Sequence, residues 1–233
     1  MLKEHIIRKQ YSSLINDIDF DQIELSLKSA NIFNILGATR AELRHSNFIG
    51  WLLDPDESHG LGKLFVSRFL RDVSRSNTVK FDELEIESLN YSNLEIRREW
   101  KNIDLLLIID ELVVCIENKV DSSEHSNQLS RYRDIIESRI PCQNHIFVFL
   151  TPFGDIPTKE KDQKHYSPYS YEKLIQILEQ ILEVHSKSIS PNVLVYIKDY
   201  LITVRRNLMK NDELNELATK MYRNHKDVLD FIF

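Results

Sequence analysis

Between Leu94 and Leu150 the apolar positions alternate or run together at strand period, whereas on either side they recur at helical spacing. NLEIRREW alternates as a half-buried strand does. IDLLLII and LVVCIENKV are apolar runs separated only by Asp110-Glu111, a short polar break of the kind that joins antiparallel strands. NHIFVFL is a further continuous apolar run, suited to a central position in a sheet. The segment between these strands, Ser122–Ser138, reads as a helix.

The flanks are helical. Residues 3–30 form a helical region with a break near Asn16–Asp21 and a stripe of Ile23, Leu27 and Ala30, and Gly37 stops it. T-R-A-E then predicts a capping box, with Thr39 as N-cap and Glu42 at the third helical position. The helix it opens carries Leu43, Phe48, Ile49, Trp51, Leu52 and Leu53 and ends at Asp54-Pro55. After the loop PDESHGLG comes a helix with Leu64, Phe65, Phe69 and Leu70 on its apolar side. FDELEIESL is predicted as a strand, and TPFGDIPTKEKDQKHYSP as a long polar loop bordering the substrate path. Helices are predicted over Tyr171–His185 and Val193–Lys210. The tail, Asp212–Phe233, is predicted as one amphipathic helix with Leu214, Leu217, Met221, Val228 and Ile232. Its last residues, Phe231-Ile232-Phe233, either pack on the body or meet a partner, a second copy included. The boundaries that follow are one domain over 1–210 and a C-terminal helix over 211–233.

At 233 residues, 42% hydrophobic and 28% charged, the chain has the make-up of a soluble globular protein with one large domain. No apolar run approaches the ~20 residues of a membrane span, and MLKEHIIRKQ lacks the apolar core of a secretory signal. Two cysteines, Cys115 and Cys142, give neither a disulfide framework nor zinc-ligand spacing, so both are expected to fill the core in a reducing cytoplasm. A net charge of −6 argues against a general electrostatic grip on nucleic acid and leaves only local basic patches.

The charges in the hairpin change this picture. Counted from the turn, Asp104 and Glu117 lie equally far out, so pairing sets them together at its open end. Side chains alternate along a strand, so Glu117 and Lys119 share one face and Asn118 points to the other. A buried charge is costly unless it is paired or coordinates a metal. Carboxylate oxygens are hard ligands suited to Mg²⁺ or Mn²⁺. A lysine beside them can orient a water or stabilise charge on a phosphate. An ordinary Glu–Lys pair at the end of a surface hairpin fits the same three residues, so the pattern alone leaves both readings open.

The neighbouring residues carry a resemblance. Asp104 followed by Glu117-Asn118-Lys119 resembles the PD-(D/E)xK nuclease superfamily, with Ile103 in place of the proline. Gln128 and Tyr132 are similar to the QxxxY motif of its helicase-linked exonuclease branch. AELRHSNFIGWLLDPDESHGLG, Ala41 to Gly62, resembles the ExxHS…WLLDP…HGLG pattern of a bacterial group within it. The resemblance implies an α/β fold: a restriction-endonuclease-like core with a central mixed sheet of four to five strands, flanked by helices and extended by helical N- and C-terminal additions. It implies metal-dependent phosphodiester hydrolysis, with Mg²⁺ (or Mn²⁺) held by Asp104, Glu117 and the backbone carbonyl of Asn118. Lys119 would position the attacking water, and Gln128 and Tyr132 would hold the phosphate or Lys119. Glu42 stands either as a capping residue or as a third acidic group at the metal. Arg97, Arg98 and Lys101, and Lys159, Lys161 and Lys164 in the later loop, are candidate nucleic-acid contacts. His45 and His59 are expected to be structural. DNA is the implied substrate and a bacterial defence system a setting that suits the group. The rival readings are a non-catalytic nucleic-acid-binding or assembly subunit on the same fold, and an enzyme acting on small nucleotides.

Overall fold

The structure, a computed structural model, describes residues 2–121, 127–140, 142–209 and 212–232. Helices α1 (Leu2–Ile15), α2 (Ile18–Lys28), α3 (Ile32–Ile35), α4 (Glu42–Leu53), α5 (Leu64–Ser74) and α6 (Glu83–Ser88) precede the sheet. Strands β1 (Glu95–Trp100), β2 (Ile103–Ile109) and β3 (Leu112–Asn118) follow in succession. Then come α7 (Gln128–Arg139), β4 (Asn144–Thr151), α8 (Glu160–Gln163), β5 (Tyr166–Ser170), α9 (Tyr171–His185), α10 (Pro191–Asn207), α11 (Asp212–Asn224) and α12 (Lys226–Ile232). The five strands lie in sequence order; β1, β2 and β3 are antiparallel, and β3, β4 and β5 are parallel. This is the mixed, helix-flanked α/β sheet that the sequence implied.

Local chemistry explains the two hairpins. Lys101 and Asn102, both at positive φ, form the two-residue turn between the paired Trp100 and Ile103, as the right-handed twist of strands favours. Ile109 pairs Leu112 across Asp110-Glu111, and Asp110 takes the positive φ. Every residue of β3 is buried, as a central strand covered on both sides requires.

Leu105, Leu107, Val114, Ile116, Val148 and Leu150 point into a large core shared with α4, α5, α9 and α10. On the other face Leu106, Val113, Cys115, Phe147 and Tyr166 meet Leu129, Tyr132 and Ile136 of α7. Cys115 is buried and Cys142 half-buried, and both are free thiols. Gly50 is where α4 crosses the sheet. A Cβ there would lie 2.8 Å from both Arg98 Nε and the Leu105 side chain, so any larger residue would have to displace both side chains.

Four expectations need correction. FDELEIESL is not a strand: the Asp82 side chain accepts hydrogen bonds from the Leu84 and Glu85 N–H, and the Glu85 carboxylate accepts one from the Asp82 N–H, a capping box that starts α6. The polar loop after β4 contains α8 and β5; Pro168 is tolerated because β5 lies at the sheet edge. The tail is two helices, interrupted at His225, whose ring meets Asp17 at 2.6 Å. α11 packs on α2 and α12 on α1. Val228 is buried there while Phe231 and Ile232 are exposed; Phe233 lies outside the described residues. Finally, Thr39 does not cap α4. The N-cap is Ala41, without a side-chain cap bond, and Glu42 is the first helical residue.

The helix predicted from Ser122 is seen from Gln128; residues 122–126 lie outside the described residues. Among the described residues no helix is long and apolar enough to cross a membrane.

Candidate active site

Register brings the carboxylates together. Leu105 pairs Ile116, so Asp104 and Glu117 are the next facing positions toward the open end of the hairpin. Asp104 Oδ2 accepts the Asn118 N–H at 2.7 Å. Glu117 is fully buried, and its Oε1 receives Lys119 Nζ at 2.8 Å and Gln128 Nε2 at 2.7 Å. Gln128 Nε2 also donates to Tyr132 Oη at 2.9 Å. These two residues stand one turn apart at the start of α7, which places both over Glu117. Gln128 therefore holds Glu117; the expected contact to Lys119 runs through that carboxylate.

Among the described residues, Glu117 Oε2 is buried without a hydrogen-bond partner, and so is Gln128 Oε1. Burial, and next the charge of Asp104, push the Glu117 carboxyl up to about 8. Burial likewise raises Asp104 to about 6, against the pull of the Asn118 N–H and of Lys119. Glu99, opposite Asp104 in the β1–β2 register and at positive φ, adds to that rise. Burial works against the charge of Lys119, but Glu117, Glu42 and Asp104 together outweigh it and hold its pKa above the ordinary value.

The upstream motif reaches the site from the large core. Glu42 and Ser46 share one face of α4. Glu42 Oε1 accepts the Val120 N–H at 2.9 Å, and Oε2 lies 3.8 Å from Lys119 Nζ. The Asn118 side chain, on the opposite face of the sheet from Glu117, donates to the Glu42 carbonyl at 3.2 Å and to Ser46 Oγ at 3.0 Å. Its Oδ1 accepts the Tyr171 hydroxyl at 2.8 Å. Ser46, Tyr171 and Glu99 were not singled out in the sequence. Ser46 follows from Glu42 by helical spacing, whereas the other two depend on distant pairings that no local pattern shows.

The histidines hold backbone. His45 is fully buried and meets the Thr39 carbonyl at 3.0 Å; burial lowers its pKa. His59 meets the Asp54 carbonyl at 2.7 Å and accepts the Leu61 N–H at 2.9 Å, which fixes the loop after α4. Among the basic candidates, Arg97 pairs with Glu95 at 2.7 Å and Arg98 with Glu57 at 3.7 Å. Lys101 is exposed in the turn three residues before Asp104. Lys159 donates to Asn127 Oδ1 at 2.6 Å.

Among the described residues no group of three or more His, Cys, Asp or Glu side chains is placed to hold a metal ion by itself. The oxygen set at the hairpin end is two carboxylates and a main-chain carbonyl. Asn118 turns its N–H to Asp104, and N–H and C=O of one strand residue point to the same side, so its carbonyl faces Asp104 too. A hard divalent cation fits this set. It would give Glu117 Oε2 a partner and relieve two carboxylates that burial holds above their ordinary range.

Searches of curated proteins and of solved structures each find no match. The family model described as the PD-(D/E)XK nuclease superfamily matches residues 30–224, from just before α3 through α11. The match spans α4, the hairpin and α7, the elements that carry every residue of the cluster. By this match the chain belongs to the PD-(D/E)XK nuclease superfamily.

Proposed function

We propose that the protein is a divalent-metal-dependent nuclease that hydrolyses phosphodiester bonds of DNA, with Asp104, Glu117 and Lys119 as its centre. The observation that carries this reading is the buried Glu117 Oε2, without a hydrogen-bond partner among the described residues, beside a second carboxylate and a lysine. Asp104, Glu117 and the Asn118 carbonyl would hold Mg²⁺ or Mn²⁺. The bound ion would supply Lewis-acid polarisation of the phosphate and a more acidic water. Lys119, 8% exposed and charged, orients that water and offsets charge on the phosphate oxygens. Gln128 fixes the orientation of the Glu117 carboxylate, and Tyr132 fixes Gln128. Arg98 and Lys101, near the site end of β1, are the residues best placed along the chain to meet flanking backbone phosphates. The exposed Phe231 and Ile232 suit contact with a second copy. A role in bacterial defence is compatible with such a nuclease.

The test is incubation with supercoiled plasmid, linear duplex, single-stranded DNA and RNA in Mg²⁺, Mn²⁺ or EDTA. DNA is expected to be cut only when a metal is present. Cleavage unchanged in EDTA, or none with either metal, overturns the reading.

Glu42 is assigned to the site as a group acting on Lys119 and, through water, on the metal. Glu42→Gln keeps an oxygen for the Val120 N–H and removes the charge facing Lys119. Activity is expected to fall about 10- to 100-fold, the range for a group behind the metal ligands, at unchanged melting temperature. A fully active variant would reduce Glu42 to an acceptor for Val120.

A further inference from the structure

Gln128 stands in the first turn of α7, and little within the helix itself fixes that turn. Asn127, the N-cap, is left-handed at φ 63° and makes no side-chain cap bond. Leu129, Tyr132 and Ile136 press the helix onto the sheet. Apolar contact has no preferred direction, so it leaves small rotations about the helix axis open.

The segment after β4 supplies direction. Lys159 Nζ donates to Asn127 Oδ1 at 2.6 Å, the Tyr166 hydroxyl to the Leu129 carbonyl at 2.9 Å, and the Ser130 hydroxyl to Asp162 Oδ1 at 2.6 Å. These three bonds bracket Gln128. The Tyr166 and Ser130 bonds are buried, and Asp162 is 0% exposed. Burying a carboxylate is costly, and among the described residues Asp162 Oδ2 has no hydrogen-bond partner. An apolar residue at position 162 would join α8 to α7 without that cost, but also without a directed bond. Ser130 lies two residues, roughly 200° around the helix, from Gln128, so its bond sits across the axis from the amide. At a radius of about 5 Å, a rotation of roughly 20° carries a side chain about 2 Å. That is enough to break the 2.7 Å bond from Gln128 to Glu117.

We propose that Asp162 is a positioning residue for the carboxylate cluster: through Ser130 it sets the rotation of α7, and thereby the aim of the Gln128 amide at Glu117. Its hydrogen bond goes to α7 and not to Asp104, Glu117 or Lys119, so it acts on them through the helix. This inference rests on the hydrolytic reading of that cluster.

The test is a double-mutant cycle on the full chain, combining Asp162→Ala with Gln128→Ala. Cleavage of linear duplex DNA in Mn²⁺, binding of Mn²⁺ by calorimetry, and melting temperature are measured for each protein. Asp162→Ala is expected to lower kcat about tenfold with KM within about twofold, and to raise the Kd for Mn²⁺ about tenfold, the lower end for a group behind the metal ligands. Asp162→Asn keeps an oxygen for the Ser130 hydroxyl and is expected to bring both values back to within about threefold of wild type. In the Gln128→Ala background, Asp162→Ala is expected to change neither, because the group it acts through is gone. A lower melting temperature with unchanged kcat and Kd, or the same fold loss in the Gln128→Ala background, overturns the proposal. Should Asp162→Ala fail to fold, Ser130→Ala removes the same bond with a single hydroxyl and is held to the same outcomes. Wild-type protein that binds Mn²⁺ without cutting would overturn the hydrolytic reading, and the Kd values would still decide the role of Asp162. Wild-type protein that does neither overturns both.

Discussion

Replacing Glu117 with glutamine is expected to slow hydrolysis by about 10²–10³-fold or more while the fold persists. The side chain keeps its volume, and its oxygen can still accept from Gln128 and Lys119. What disappears is the negative charge that a divalent ion needs. Lys119→Ala should be as severe for a different reason, because it removes the only ammonium within reach of Glu117 and Glu42 among the described residues. Both variants should keep a cooperative melt, since Glu117 and Lys119 contribute little apolar area to either core. Cleavage within tenfold of wild type in both, in protein free of other nucleases, would remove these residues from the mechanism.

The second large effect is on stability. Metal-free protein is expected to lose stability as pH rises from about 4 to about 8. Asp104 and Glu117 ionise near 3.8 and 4.5 when exposed, and near 6 and 8 in the fold. The folded state therefore binds more protons than the unfolded state through this window. Their contribution is present below the ordinary values and is lost as pH passes the raised ones. At about 1.4 kcal/mol per pKa unit, the loss is on the order of several kcal/mol and at most about 8 kcal/mol. Glu117→Gln removes the upper part of the window, so the variant should melt above wild type at pH 8 in EDTA and close to it at pH 5. Saturating Mg²⁺ should raise the wild-type melting temperature more at pH 8 than at pH 5, because the ion replaces protons on the carboxylates. Melting temperatures of the two proteins that run parallel across pH would show Glu117 to be an ordinary carboxylate.

Much of the sheet was legible because its signals are local. NLEIRREW, IDLLLII, LVVCIEN and NHIFVFL carry strand period or unbroken apolar runs, and they are β1 to β4. The facing of Asp104 and Glu117 followed from counting outward from a short turn. Where the reading failed, a weak local pattern met a stronger one. In FDELEIESL the alternation suggested a strand, but Leu84 is left 80% exposed and the Asp82–Glu85 capping box fixes a helix that buries Ile86. YSPYS has no aliphatic residue and a proline in the middle, so nothing in it marks an edge strand that buries two tyrosines. Thr39 and Glu42 have capping-box spacing, but the Thr39 carbonyl binds His45 and the Glu42 carboxylate binds Val120. Both competing bonds are tertiary or follow from where the helix begins, and spacing alone carries neither.

Asn118 belongs to both layers of the molecule. Its main chain faces Asp104, while its side chain is clasped by α4 and by Tyr171 at the start of α9. The aim of its carbonyl is thus referenced to helices on the far side of the sheet, much as a gauge is zeroed against its frame. Altering Ser46 or Tyr171 would tilt the Asn118 peptide without touching a carboxylate. Alignment at the reactive end of the hairpin is therefore inherited from the core behind it, and drift in that core becomes error in the placement of an oxygen.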